Sequence, residues 1–560
     1  MKTKLDQTIN RILAISLLSA LFLLTACSQN GAAPGSTEGQ DQTPPQITAP
    51  IHTTMDLEPY ELTQIQLPAY ETVVTEFNLG DRIYTSPYDR QMPYALKGLI
   101  GMPKGEGPFP VILMTHGSHS NDDESKRFDT GFDYLVEALA SKGFVTISLD
   151  LSKPYIWKYG DNDDREKSIH VALDHFDQLL KVASGEAAGY PVDLIGKIDL
   201  TKIGLLGHSR GGETVLDIAS ELELRGYPAS AVFSVAPTFF FPDRSWPSSD
   251  VAILVPEYDG DVVNLDGYLM LDALDKNTTG HHALVLLHRA NHNYFNRNIE
   301  RNDAQMMASE FPIENQLKRE EQEAFLIRMS SEFFFDTLMN REPRHIFDFE
   351  HAQPNQMYGF DVKVMTSAPE KVQLLNLENP EMTATSDGAS AVPVTDAWYF
   401  KNDEILIDTI TGGDGPYSKR RLLEIQWTQA DAKFVLKPIT TDFSKHDALA
   451  LTLVPDSASS LQQGQTYQNF SVKLTDRTGN VTSLLLPDNL NALSLTPGEI
   501  GKTDLGDLIL SYWSVRTPLS TVWIPLDAFK NVDLTQIDTV ELLFDTSETG
   551  AVYIESVELY

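Results

Sequence analysis

By type and spacing, the residues best suited to chemistry in this chain are Gly207-His208-Ser209-Arg210-Gly211-Gly212. A serine hydroxyl is a weak nucleophile at neutral pH and becomes useful when a neighbouring base takes its proton. Ser209 follows the apolar run Ile203–Leu206 and precedes a helical pattern beginning near Glu213, which predicts a G-x-S-x-G turn from strand to helix. A turn that sharp strains the serine backbone and leaves no room for large neighbours. Gly207 and Gly211 supply the room, and Gly212 lets the helix pack closely. The helix then aims its N-terminus at negative charge developing on a substrate oxygen. His208, inside the turn, is expected to be structural, with its side chain packed under the sheet.

A base and an orienting carboxylate are available downstream. In His288-Arg289-Ala290-Asn291-His292-Asn293, His292 is the expected base. His281, His282 and His288 lie before or at the end of the preceding apolar run and are placed less well. Asp259 and Asp261, in Pro256-Glu257-Tyr258-Asp259-Gly260-Asp261, both offer the carboxylate. Charge on a tetrahedral oxygen is usually met by two backbone N–H groups. One is expected from Arg210, the residue after the nucleophile. The other falls in Thr115-His116-Gly117-Ser118-His119, where the His-Gly turn favours the Ser118 amide. His116, His119, Asp122 and Asp123 match no zinc spacing, so neither a metal nor another cofactor is expected.

These residues need a scaffold that brings distant loops together. From about residue 70 to 340, short apolar runs alternate with helical patterns. Val111–Met114, Phe144–Leu149, Ile203–Leu206, Ala231–Ala236, Ala252–Val255 and Ala283–Leu287 read as buried strands. Phe132–Ser141, Ile169–Val182 and Gln316–Met339 read as amphipathic helices, and Val73–Leu79 with Tyr94–Met102 as an antiparallel pair. Such alternation predicts an α/β unit, a mostly parallel sheet with helices on both faces.

After Pro343 the texture becomes all-β. Tyr358–Thr366, Leu422–Trp427, Lys433–Leu436, Ala448–Leu453, Phe470–Thr475, Val540–Phe544 and Val552–Leu559 predict a β-sandwich, with Thr383–Ser390 and Asp456–Gln463 as loops. Trp398, Trp427, Trp513 and Trp523 lie in this part; Tyr512-Trp513 is a candidate platform for a sugar ring, against the alternative that these are core residues.

The N-terminus reads as an address. Lys2, Lys4 and Arg11 precede the apolar run Ile12–Leu24, too short to span a bilayer comfortably, which closes on Leu24-Thr25-Ala26-Cys27. Residues 28–50 are rich in Gly, Ser, Pro and Gln and read as a solvated tether with a reach on the order of 25 Å. Cys27 is the only cysteine of the 560 residues, so no intrachain disulfide forms. A net charge of -36 repels phosphate backbones and argues against nucleic acid as a partner. The expected divisions are therefore a leader at 1–26, a tether at 27–55, a catalytic unit at 56–344 and a β unit at 345–560.

Three resemblances bear on function. GHSRGG, with the segments around it, resembles the elbow of chlorophyllase-like and dienelactone-hydrolase-like members of the α/β-hydrolase superfamily. That resemblance implies ester hydrolysis through an acyl-enzyme, with the acid and histidine on loops after two later strands, hence Ser209, Asp259 and His292. In relatives the acid commonly comes three positions after the small residue ending its strand; Pro256 stands there, pointing to Asp259 with Asp261 as the alternative. Leu24–Cys27 resembles a bacterial lipobox, implying a lipid on Cys27 and an extracytoplasmic, membrane-anchored protein. Ile524–Leu526 through Val532–Leu534, Val540–Asp545 and Gly550–Leu559 resemble galactose-binding-like jelly rolls, which implies carbohydrate as a candidate ligand. The expected substrate is a small-molecule or polymer ester. The alternatives are amide or peptide cleavage by the same triad, or a non-catalytic glycan-binding surface lipoprotein.

Overall fold

Runs of Val, Ile and Leu with apolar residues at every position can be satisfied only in strands covered on both faces. In the computed structural model they form the middle of an eleven-stranded sheet. The structure describes residues 52–56, 60–63, 65–160, 164–308, 311–339, 354–380, 384–394, 421–462, 464–505, 508–513, 515 and 517–560. The expected leader, Cys27, residues 28–50 of the tether and Trp398 lie outside the described residues.

The first twelve strands are β1 (His52–Asp56), β2 (Tyr60–Leu62), β3 (Thr72–Thr85), β4 (Gln91–Pro103), β5 (Phe109–Thr115), β6 (Val145–Leu149), β7 (Ile198–His208), β8 (Ala229–Val235), β9 (Asp250–Pro256), β10 (His282–Leu287), β11 (Pro354–Met357) and β12 (Phe360–Ser367). The large sheet runs β2-β11-β12-β10-β9-β8-β7-β5-β6-β4-β3. Its centre, from β10 to β6, is parallel. Alternation along β5 splits the core: Val111 and Leu113 face α2 (Asp164–Ala183), α3 (Arg210–Leu224) and α4 (Gly267–Asn277), whereas Ile112 and Met114 face α1 (Asp133–Ser141) and α5 (Arg319–Leu338). The six predicted buried strands all lie in this sheet; α4 was not anticipated.

The remaining strands are β13 (Val372–Gln373), β14 (Ala384–Asp387), β15 (Ala389–Val394), β16 (Leu422–Trp427), β17 (Ala432–Leu436), β18 (Ala448–Pro455), β19 (Ser471–Asp476), β20 (Val481–Leu485), β21 (Ile500–Leu505), β22 (Leu508–Trp513), β23 (Ser520–Pro525), β24 (Ile537–Phe544) and β25 (Gly550–Leu559). Two sheets, β1-β20-β19-β24-β17-β14 and β15-β16-β25-β18-β23, share one apolar core. Trp427 stacks on Phe544 at 3.9 Å within that core, and Trp523 is 2% exposed against Tyr560, so these two tryptophans are packing residues.

Three expected boundaries need correction. Tyr358–Thr366 was assigned to the β unit, yet β12 pairs antiparallel with β10 and β11 follows beside it, so the large sheet continues past residue 344. Alternating apolar residues look alike in a sandwich strand and in the outer strand of a mixed sheet, and only partner register separates them. Residues 52–55, expected in the tether, lie in β1, which pairs parallel with β20. Within Thr383–Ser390, expected as a loop, residues 384–387 form β14, which pairs with β17, and after Gly388 at φ 69° the chain crosses to the other sandwich sheet, where β15 pairs with β16. β14, Ala-Thr-Ser-Asp, is largely exposed and so shows no apolar alternation.

The chain thus enters through one sandwich sheet, builds the α/β layers, and returns. Met365 of β12 shares a core with Leu422, Val454 and Leu519. The Asn491 side chain donates to the carbonyls of Asn355 and Val362 at 2.9 and 3.2 Å. Cutting at residue 344 removes β11 and β12 and strips the hydrogen-bonding edge of β10, whose residues are all buried. A chain ending at 344 is accordingly expected to be insoluble or non-native by sedimentation and circular dichroism. A soluble, monomeric product with native helix content would contradict this interlocking.

Candidate active site

The centre of the parallel sheet brings together the C-terminal ends of β5, β7, β9 and β10, and the sequence-predicted residues lie on the turns that follow them. Ser209 links β7 to α3 with φ 58° and ψ -126°, a strained backbone for a residue with a side chain. Hydrogen bonds hold the strain: the Ser209 N–H donates to the Val235 carbonyl at 2.9 Å, and the Ser209 carbonyl accepts from Gly212 N–H at 2.8 Å. A Cβ on Gly207 would lie 2.1 Å from the Gly211 carbonyl oxygen, so the turn closes only around glycine. Ser209 is 8% exposed, close to the surface but nearly enclosed.

Beside it, the loops after β9 and β10 are fastened together: Tyr258 N–H donates to the Ala290 carbonyl at 2.7 Å. This brings Asp259 Oδ2 to 3.0 Å from His292 Nδ1, with both side chains out of water. Asp259 Oδ1 accepts from the amides of Asp261 and Val262 at 3.0 and 2.6 Å. Burial pushes the His292 pKa down, but the Asp259 carboxylate outweighs it, with help from Asp303 and Asp261, and the group rises to about 9. The stabilisation from that proton is complete below the ordinary value of 6.5 and is lost as pH rises through about 9. His292 Nε2, the far side of the ring, is buried with no hydrogen-bond partner among the described residues. His208 supports the ring from below: it lies 4.8 Å from His292 between centroids, with Nε2 3.1 Å from the His292 carbonyl.

The carboxylate that builds this loop is Asp303, which the sequence reading missed. Fully buried, its two oxygens accept from the amides of Gly260 (2.9 Å), His292 (3.0 Å) and Asn293 (2.9 Å). It therefore ties the acid loop to the histidine loop through backbone alone. Burial and the nearby Asp259 raise its pKa. Each amide left unpaired by its removal would cost roughly 1–3 kcal/mol. No motif marks Asp303; its only signal is an acidic residue in a polar run shortly after His292.

On the other side of Ser209, His116 anchors the turn after β5. Its Nδ1 lies 2.9 Å from the Gly117 carbonyl, and its Nε2 accepts from Leu151 N–H at 2.9 Å. A Cβ on Gly117 would lie 2.5 Å from the Ser209 Cβ, so a bare backbone must pass the nucleophile here. Asn121 donates to the Ser118 hydroxyl at 2.9 Å and to the Tyr155 carbonyl at 2.8 Å, fixing the loop that carries the Ser118 amide. The Arg210 amide opens α3, where N–H groups have no acceptor within the helix. Its guanidinium bonds Asp164 and lies over Phe240, 4.6 Å from the ring centroid.

The structure brings Ser209, Asp259, His292, Arg210 and Ser118 to one end of the sheet. Asp261 stands apart from the imidazole, its carboxylate paired with Arg301 at 2.7 Å. In the loop after β8, Phe239 is core, Phe241 is half-buried and Phe240 is 62% exposed. Among the described residues, no group of three or more His, Cys, Asp or Glu side chains is placed to hold a metal ion.

Comparison with known proteins bears on the part of the chain that carries the elbow. The chlorophyllase family model matches residues 71–239. Over 155 residues the chain is 28% identical to Esterase EstD of Thermotoga maritima, covering 27% of this chain and 34% of that protein. Over 158 residues it is 25% identical to a bis(hydroxyethyl) terephthalate hydrolase of Streptomyces coelicolor, covering 28% of this chain and 42% of that protein. The matches thus span less than half of either relative. With the sheet order and the elbow, they support an α/β-hydrolase fold of the ester-hydrolase kind for this part of the chain.

Proposed function

We propose that this protein is a serine hydrolase that cleaves carboxylic esters through an acyl-enzyme, with Ser209 as nucleophile, His292 as base and Asp259 as the acid that orients it. The observation that carries the reading is the buried pair of Asp259 and His292 at 3.0 Å, at the same end of the sheet as a serine held at φ 58°. In the reaction, Ser209 Oγ bonds to the ester carbon while His292 Nε2 takes its proton, and the carbonyl electron pair moves onto oxygen. The amides of Arg210 and Ser118 meet that charge. His292 then protonates the departing alcohol oxygen, and a water molecule repeats the sequence to release the acid. The exposed ring of Phe240, over the residue after the nucleophile, suits an ester with an apolar part. The names of the two relatives, an esterase and a terephthalate ester hydrolase, favour ester over amide.

A fluorophosphonate is expected to label Ser209, and Ser209→Ala to abolish labelling and hydrolysis of 4-nitrophenyl esters. Because the base must lose its proton before it can accept one, kcat/KM is expected to climb with pH to a half-point near about 9. Labelling that survives Ser209→Ala, or a wild-type protein inert to both reagents, would overturn the reading.

We also propose that Cys27 carries a lipid that holds the protein to the outside of a bacterial membrane. The supporting feature is a single cysteine closing Leu24-Thr25-Ala26-Cys27 after a short apolar run. Cys27→Ala is expected to abolish partition into Triton X-114 when the protein is expressed in a bacterium. Unchanged partition of a processed variant would contradict the anchor.

A further inference from the structure

His119 is a fourth imidazole in the site, beside His292, His208 and His116, and nothing so far gives it a role. It follows Ser118 in the turn after β5, and its ring is folded back towards Ser209. The position that a Cβ on Gly117 would take is 2.5 Å from the Ser209 Cβ and 2.9 Å from both Nε2 and Cε1 of His119. The Nε2 edge of the ring and the nucleophilic side chain therefore face each other across the bare Gly117. The ring is packed on Phe128 at 5.0 Å and on His208 at 5.2 Å, and lies 6.4 Å from His292. Its Nε2 is buried and has no hydrogen-bond partner among the described residues.

A buried, unpaired ring nitrogen is destabilising by roughly 1–3 kcal/mol, a cost that persists where a bound group relieves it. Metal ligation is not what the placement offers, since no group of three ligands converges among the described residues. Burial, and then the neighbouring His208, His292 and His116, hold the His119 pKa well below its ordinary value. The ring therefore stays neutral at working pH and carries one N–H. Such a group is a fixed dipole, unable to compete with His292 for the serine proton.

We propose that His119 is a catalytic residue whose Nε2–H donates a hydrogen bond to the oxyanion of the tetrahedral intermediate, a side-chain donor beside the amides of Ser118 and Arg210. This rests on the serine-hydrolase reading above. No proton is transferred by His119: the Ser209 Oγ–carbon bond forms, the carbonyl pair moves to oxygen, and the Nε2–H lies against that oxygen until the pair returns. Loss of one such donor costs about 10²–10³ in kcat in a comparable site.

The test compares His119→Phe, which keeps a ring, and His119→Gln, which keeps an N–H, with the wild-type full chain. His119→Phe is expected to lower kcat by about 10²-fold with little change in KM, equally for 4-nitrophenyl acetate and for an ethyl ester. Inhibition by benzeneboronic acid, which forms a tetrahedral adduct on the serine, should weaken in parallel. His119→Gln should recover about tenfold over the phenylalanine variant. Melting curves check that each variant folds; if the phenylalanine variant does not, the glutamine variant and its boronate inhibition decide the matter. Wild-type rates and boronate inhibition in a folded variant would overturn the oxyanion role while leaving the hydrolase reading intact. A loss confined to the ethyl ester would also overturn it, because the donor would then act on the leaving oxygen. A wild-type protein inert to esters and boronate alike would instead overturn the underlying hydrolase reading.

Discussion

Asp259 and His292 are both withdrawn from water, and each makes the other tolerable there. A lone buried carboxylate or imidazolium carries a desolvation cost of several kcal/mol; removing one partner of such a pair commonly destabilises a protein by about 3–5 kcal/mol. The two residues come from different loops, after β9 and β10, so their contact also fixes the register of those loops. Tyr258 and Ala290 share a backbone hydrogen bond, and Asp303 accepts amides from both sides. The pair is thus held by main chain, which cannot rotate away as a side chain can. His292 Nε2 is left without a hydrogen-bond partner among the described residues.

Around that pair the sheet does simple geometric work. Parallel strands end side by side, so the four turns that follow β5, β7, β9 and β10 meet at one end of the sheet. The apolar faces buried against the helices on either side give those ends their rigidity. Outward from β10 the sheet changes character: β12 runs antiparallel, and its Met365 packs into residues of the sandwich. The strand carrying the histidine loop is therefore supported by the β layers, although these contribute no residue to the site described.

What was legible in the sequence follows from how local each signal is. Ser209 and its glycines form a contiguous motif with a local steric cause, and the buried strands announce themselves by unbroken apolar runs. The choice between Asp259 and Asp261 rested on a family spacing; in the structure Asp259 meets the imidazole and Asp261 meets Arg301. Asp303 was invisible because its three partners are amides, which any residue supplies. His119 stood in view as one histidine among 13, and only the fold back across Gly117 gives it meaning. The placement of β12 was misread because alternation reports a buried face and not the partner strand.

In the proposed triad the buried Asp259 carboxylate, and no other nearby acid, orients His292 for work on Ser209. This role is tested most directly by steady-state kinetics of Asp259→Asn and Asp261→Asn on a 4-nitrophenyl ester, with folding checked by circular dichroism. An asparagine at 259 favours the wrong tautomer and leaves the imidazolium unsupported, an exchange that cost about 10⁴ in a comparable triad. A loss of about 10³-fold or more in kcat is expected for Asp259→Asn, and a change within a few-fold for Asp261→Asn. A folded Asp259→Asn protein with near wild-type kcat, or an Asp261→Asn protein that is the crippled one, would contradict that role.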